Sequence, residues 1–199
     1  VIEADRAGDV LTLTLARPEK ANALTEDMLA TLADAVEAAR ERVLILTGAG
    51  KVFSAGADLD EVAAGSLALS PDWDRLSGAV AGFRGLSVAA LNGTVAGGAM
   101  GMVLACDLRL CVPGAKFFYP VMKLGHLPQP GDPARLSALV GPARAKLILM
   151  GGQKITADEA RAFGLTDRIC DAPVDAARDI AADVLAAGVD HVTAIKGMI

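Results

Sequence analysis

The sequence predicts an α/β fold, a spiral of repeated ββα units over residues 1–140 continued by a helical region over residues 141–199. Three observations carry that expectation. Short apolar strand patterns recur at 10–15 (VLTLTL), 43–47 (VLILT), 87–91 (SVAAL) and 108–112 (LRLCV). An amphipathic helical pattern separates the first two, and a glycine-rich turn follows the third. The last third is a series of helical stretches rich in alanine.

In chain order, 10–15 alternates apolar residues with threonine, as a half-exposed strand does, and Arg17-Pro18 ends it. Thr25 is placed as a helix N-cap, with Glu26 and Asp27 favourable to the helix dipole. Met28, Leu32, Ala35, Val36 and Ala39 then mark one apolar face at helical spacing. The stretch 58–85 has no clear period and contains a lone Trp73 in a charged setting. Residues 117–119 are expected to pair beside the 108–112 strand, and 125–133 (GHLPQPGDP) reads as a loop. Helices follow at 133–140, 142–150 and 157–163, with a long one at 174–187 and a short one in the tail from 189. Gly164 fits the position just past a helix end.

Composition narrows the function classes. The chain of 199 residues is 53% hydrophobic but 4% aromatic, so its core is built from Ala, Val, Leu and Gly, which suits closely packed backbones. A formal charge of -5 and the lack of any basic run argue against nucleic acid as a partner. Glycine, Asn92 or charges break every apolar run short of a membrane span, and no signal-peptide pattern opens the chain, so a cytoplasmic protein is expected. The chain opens on Val1 without an initiator Met, as a processed product or a part of a longer chain does. Cys106, Cys111 and Cys170 form no C-x-x-C pair and read as buried free thiols. His126 and His191 are the only histidines, so no histidine-rich metal site is expected.

Residues 92–106, NGTVAGGAMGMVLAC, organise the centre. Gly93, Gly97, Gly98 and Gly101 let backbone pass close to a bulky neighbour, and 100–105 reads as a buried helix. A helix entered through adjacent glycines offers unpaired N–H groups and a positive dipole end to an anion. Residues 53–59, FSAGADL, repeat the arrangement, because Ala55, Gly56 and Ala57 leave a peptide N–H accessible just before Asp58. Two such donors converging on one oxygen make an oxyanion hole.

The two stretches, in this order, resemble the crotonase superfamily, the enoyl-CoA hydratase/isomerase family. Residues 8–24 (GDVLTLTLARPEKANAL), 42–56 (RVLILTGAGKVFSAG), 105–117 (ACDLRLCVPGAKF) and 155–169 (ITADEARAFGLTDRI) extend the likeness over nearly the whole chain. The resemblance implies a crotonase-like spiral and a coenzyme A thioester as substrate, with no tightly bound cofactor. It implies that the N–H groups of Ala57 and Gly98 stabilise a thioester enolate, and that Ala55 and Asp58 belong to the acyl-CoA site, Asp58 ordering the turn. It further implies a homotrimer or a dimer of trimers built through the helical C-terminal third; family members usually continue past the position of Ile199, so a terminal helix that helps cover the pocket is expected to be absent or unseen.

The chain departs from the family in its acids. The two positions that carry glutamate in a hydratase fall here on Gly101 and Val121, and neither transfers a proton. The remaining candidates all follow the second position: Tyr119, Lys123, His126 and Asp132. His126 has an intrinsic pKa suited to proton transfer, although a lone loop histidine also serves as a surface residue. Tyr119 reads either as a proton donor or as a core residue with its hydroxyl at the rim. Asp132 before Pro133 reads either as an N-cap or as a catalytic base. The family's basic residues near the CoA phosphates are replaced by Glu19 and Asp60, leaving Arg17, Lys20 and Arg84 as substitutes. Gly85-Leu86 stands where the family shows Lys-Pro, a structural departure.

Other motifs fail. GAGK at 48–51 lacks both the first glycine and the final Ser/Thr of a P-loop, no G-x-S-x-G elbow is present, and no G-x-G-x-x-G follows a strand. Two functions stay open. One is an acyl-CoA enzyme with a proton donor other than glutamate, acting by decarboxylation, hydrolysis or an unusual isomerisation. The other is a non-catalytic member that keeps the fold for CoA binding or assembly.

Overall fold

The computed structural model describes residues 1–65 and 67–199; Ser66, within the small-residue stretch 63–71, lies outside the described residues. Strand β1 (Ile2–Ala7) forms an antiparallel hairpin with β2 (Val10–Leu15). Helix α1 (Glu26–Ala38) starts where the sequence places it, the Thr25 side chain accepting the Met28 N–H at 3.2 Å. Its buried face is Met28, Leu29, Leu32, Ala33 and Val36.

The spiral then makes three turns. Strands β3 (Val43–Gly48) and β4 (Val52–Ser54) lead to helices α2 (Leu59–Ala64) and α3 (Asp72–Ala81). Strands β5 (Leu86–Leu91) and β6 (Thr94–Ala96) lead to α4 (Ala99–Ala105). Strands β7 (Leu108–Cys111) and β8 (Lys116–Phe118) lead to α5 (Val121–Leu124) and α6 (Asp132–Val140). The first strand of each turn joins one sheet and the second joins the other. The chain continues through α7 (Pro142–Leu149), β9 (Ile155–Thr156), α8 (Ala157–Phe163), β10 (Arg168–Ile169), α9 (Pro173–Ile180), α10 (Ala182–Ala186) and α11 (Val189–Lys196).

The resulting sheets have the orders β1-β2-β3-β5-β7-β10 and β4-β6-β8-β9, parallel except for the β1/β2 and β8/β9 pairs. One face of the larger sheet packs Leu11, Leu13, Leu44, Leu46 and Ala89 into the main core. The other face packs Val43, Ile45, Val88, Ala90 and Leu110 against Ala177 and Ala181 of the α9 region. Burial on both faces is the reason 43–48 and 86–91 read as continuous apolar runs.

Several expectations are corrected. The 10–15 strand is buried along almost its whole length, because β1 and β3 flank it and both sheet faces are covered. Residues 116–118 pair parallel with β6 in the smaller sheet, not beside β7. The 174–187 helix is two helices that meet at Ala181. The C-terminal region is helical as expected, and its two short strands, β9 and β10, complete the two sheets. Arg109, 2% exposed, fixes that junction: Nε donates to the Leu165 carbonyl at 2.9 Å, and the Asp167 carboxylate accepts from its backbone N–H at 2.7 Å. The cysteines are free; Cys106 and Cys111 are buried as expected, whereas Cys170 is only half-buried. Among the described residues no helix is long and apolar enough to cross a membrane.

The Gly85 departure has a steric cause. A Cβ there would lie 2.0 Å from the Arg42 carbonyl oxygen, because β5 begins directly beside β3. Gly85→Ala should cost about 3 kcal/mol, the upper range for overpacking against backbone that cannot yield. Urea unfolding measures this, and a loss well under 1 kcal/mol would mean that the neighbouring strand moves freely.

Candidate active site

The site begins with two turns, the one after β4 and the one after β6, pressed together backbone to backbone. Gly56 has φ of 92°, and a Cβ on it would lie 2.8 Å from the Ala96 carbonyl oxygen. Gly97, at φ 54°, lies across from it. Only glycine at position 56 allows that approach. The bonds around the turns then leave two donors over. Leu24 N–H donates to the Gly56 carbonyl and Asp58 N–H to the Leu24 carbonyl, both at 2.8 Å, while Gly97 N–H donates to the Phe118 carbonyl at 3.0 Å. Among the described residues, neither the Ala57 nor the Gly98 N–H has a hydrogen-bond partner within the protein. Both residues line one cavity of about 200 Å³.

Buried polar side chains hold the first turn. Asn22, fully buried at φ 52°, donates through Nδ2 to the carbonyls of Ala49 and Val52, and its carbonyl accepts from the Ser54 hydroxyl. Asn92 donates to the Gly50 and Val52 carbonyls from the other side. Asp58 caps α2, accepting from the Asp60 and Glu61 N–H groups, and its other oxygen takes the Arg17 guanidinium at 2.6 Å. That guanidinium hydrogen bond, with the helix-terminal N–H groups, holds the Asp58 carboxyl below its ordinary value. Asp58 therefore ties Arg17 to the start of α2.

The remaining predicted residues divide. Tyr119, 4% exposed, lines the cavity with Gly98. His126 and Ala55 also line it, both exposed at the rim. Asp132 does not reach the wall. It stands behind Tyr119, 1% exposed, and its Oδ2 accepts the Tyr119 hydroxyl at 2.8 Å. Its N-cap reading is corrected, because Gly131 occupies that position and no side-chain cap bond forms. Val121 closes one side of the cavity, and a Cβ on Gly101 would lie 3.0 Å from Asp132 Oδ1. Burial pushes the Asp132 carboxyl up to about 6, against the Tyr119 hydrogen bond and Arg135 and with Asp74 adding to the rise. Burial and the neighbouring Asp132 also push the Tyr119 phenol up, so it stays protonated.

The substitute cations are less available than the sequence suggests. Arg17 is committed to Asp58 and to the Ala23 carbonyl. Arg84 lines a separate groove with Arg40, Arg42 and Val189 that shares no residue with the cavity. Lys20 stays exposed, 3.7 Å from the Asp60 carboxylate.

Sequence reading missed Trp73. On α3 it falls at helical spacing with Leu76 and Val80, a pattern that marks a buried face despite the charged neighbours. Its Nε1 donates to the Leu67 carbonyl at 2.8 Å, and its ring forms the wall beside Gly98, where a Cβ would meet it at 2.8 Å.

Gly98→Ala should displace the Trp73 ring and cost about 1–3 kcal/mol of stability; chemical denaturation reads this, and an unchanged midpoint would show that the ring is free to move. The raised Asp132 pKa sets a second expectation. The folded carboxyl holds its proton more tightly than its ordinary value of 3.8, so its contribution is fully present below that value and is lost as pH rises through about 6. The stability difference between the unsubstituted protein and Asp132→Asn should therefore shift by about 2–3 kcal/mol in favour of Asn between pH 4 and pH 7.5. A pH-independent difference would mean that Asp132 titrates as an exposed acid.

Comparisons with known proteins place the chain in a family. Residues 5–199 match the enoyl-CoA hydratase/isomerase family model. A Mycobacterium leprae protein named "Probable enoyl-CoA hydratase echA6" is 36% identical over 85% of this chain and 71% of its own length. The carnitinyl-CoA dehydratase of Salmonella arizonae is 36% identical over 96% of this chain and 77% of its own. Among solved structures, DspI of Pseudomonas aeruginosa superposes with a TM-score of 0.92 at 30% identity, covering 98% of this chain and 84% of that one. Enoyl-CoA hydratase from Thermoplasma volcanium superposes with a TM-score of 0.85 at 32% identity, covering 98% and 81%. With its spiral of paired strands and two glycine-framed donor turns, the chain belongs to the enoyl-CoA hydratase/isomerase family.

Proposed function

We propose that this chain decarboxylates a malonyl-type thioester, an acyl-CoA bearing a carboxylate on its α carbon. One observation carries the reading: the cavity joins two free N–H donors to a protonated phenol, none of its described lining residues is Asp, Glu, Lys or Arg, and its histidine, His126, stands exposed at the rim. Hydration needs a carboxylate to activate water, and isomerisation needs a base to lift an α proton. Decarboxylation needs neither. The electron pair of the breaking C–C bond moves into the thioester carbonyl, CO₂ leaves, and the enolate oxygen is held by the Ala57 and Gly98 N–H groups. The enolate α carbon then takes the Tyr119 hydroxyl proton. An apolar wall of Val62, Trp73 and Phe118 favours this step, because a desolvated carboxylate is less stable than the neutral CO₂ it releases.

The cavity of about 200 Å³ suits a short acyl group. In this reading the thioester is the substrate and the chemistry calls for no tightly bound cofactor. The trimer or dimer of trimers that the resemblance implies is part of the proposal, and light scattering measures it.

The test is CO₂ release from malonyl-CoA and methylmalonyl-CoA, with the shorter acyl-CoA followed by proton NMR. Tyr119→Phe should lower kcat by about 10²-fold or more, the usual contribution of a positioned proton donor, while His126→Ala at the rim leaves the rate close to the unsubstituted value. Thermal stabilisation by these thioesters without CO₂ release would instead support the non-catalytic reading.

A further inference from the structure

We propose that Asp132 is the proton reservoir of this site, a carboxyl supplied from the start of α6 in place of one that α4 does not carry, and that it acts through the Tyr119 hydroxyl. This rests on the decarboxylation reading and adds to it the source of the proton.

Gly101 stands where a hydratase of this family has a glutamate, and a Cβ there would lie 3.0 Å from Asp132 Oδ1 and 3.3 Å from Oδ2. A side chain at 101 and the carboxyl of Asp132 compete for one space. The glycine makes room for the acid, which enters from a different helix. The carboxyl is then kept at a cost. It is buried, it makes no capping bond, and Oδ1 has no hydrogen-bond partner among the described residues. A residue serving only to favour the helix dipole would gain the same benefit at the surface without that penalty.

The carboxyl also has one polar exit. Oδ2 meets the Tyr119 hydroxyl at 2.8 Å, and the Gln129 N–H, 3.3 Å from the Tyr119 oxygen, fixes that oxygen in place. Tyr119 and Gln129 line the cavity, whereas Asp132 does not. The charged and titratable groups facing the carboxyl are Tyr119, Arg135 on its own helix and Asp74 on α3. With Asp132 protonated, the shared hydrogen bond runs the other way, its carboxylic O–H donating to the Tyr119 oxygen and freeing the phenol O–H for the cavity. The enolate α carbon then uses the electron pair left by CO₂ to take the Tyr119 proton, and the Tyr119 oxygen takes the proton of the Asp132 carboxylic acid. The Asp132 carboxylate is then recharged from water through the same hydroxyl after the product leaves. Each turnover consumes one proton.

The experiment measures kcat against pH for malonyl-CoA decarboxylation in the unsubstituted protein and in Asp132→Asn, which keeps an acceptor for Tyr119 but carries no acid proton. The expected result is a rate that falls above about pH 6 in the unsubstituted protein, and a variant slower by about 10- to 100-fold in which that limb is missing. Asp132→Asn combined with Tyr119→Phe should be no slower than Tyr119→Phe alone, because the two act as one unit. An Asn variant that keeps both the rate and the pH limb overturns the proposal and leaves the decarboxylation reading standing; no CO₂ from the unsubstituted protein overturns both. Should the Asn variant fail to unfold cooperatively, the exchanged pair takes its place. Asp132→Gly removes the activity, and adding Gly101→Glu, which returns a carboxyl from α4 to the same space, restores it about tenfold or more. No restoration overturns the proposal.

Discussion

Everything at the site depends on how closely two peptide segments approach at Gly56 and Ala96. Backbone at that separation excludes even a methyl group, and the approach brings two N–H groups from different turns of the spiral to one cavity. The sheet arrangement makes such a contact possible, since β4 and β6 are parallel neighbours in the smaller sheet and their following turns emerge at the same edge. The polar residues around it, Asn22, Asn92, Ser54 and the Arg17–Asp58 pair, bond to nearby carbonyls and N–H groups, so the two donors stay unpaired while their neighbours do not.

The acids of this site follow a different logic from the donors. Main-chain donors are fixed by topology, whereas a proton-carrying side chain can enter the same space from any element that borders it. Gly101 and Asp132 illustrate this, since one volume is reachable from α4 and from α6. The position of a carboxyl also sets its protonation state. A carboxyl at the cavity wall faces substrate directly, but one buried behind a phenol is held toward its neutral form and couples through a single hydroxyl.

Much of the fold was legible because its signals are local. Thr25 as a cap, Gly164 past a helix end and the glycines of the donor turns each express a backbone requirement that nearby residues reveal. What was misread depends on distant partners. The alternation in 10–15 is real, but whether its threonine face meets water is decided by α9 and the flanking strands. The break at Ala181 has no punctuation in an alanine-rich run; it reflects docking of Ala177 and Ala181 on the sheet. Arg17 reads as available because its partner Asp58 lies 41 residues along the chain, and Asp132 reads as a cap because Asp-Pro commonly opens helices. Where its side chain points is set by Gly101 and Tyr119, which the local sequence around 132 does not contain.

Trp73 has a consequence of its own. It is the only tryptophan in the chain, it is 5% exposed, and its ring lies against the turn that presents the Gly98 N–H. Its indole is tied to the Leu67 carbonyl in the segment that borders the same cavity. Intrinsic fluorescence excited at the indole band therefore originates at one wall of the site and nowhere else, giving this chain a native optical probe of cavity occupancy that needs no label.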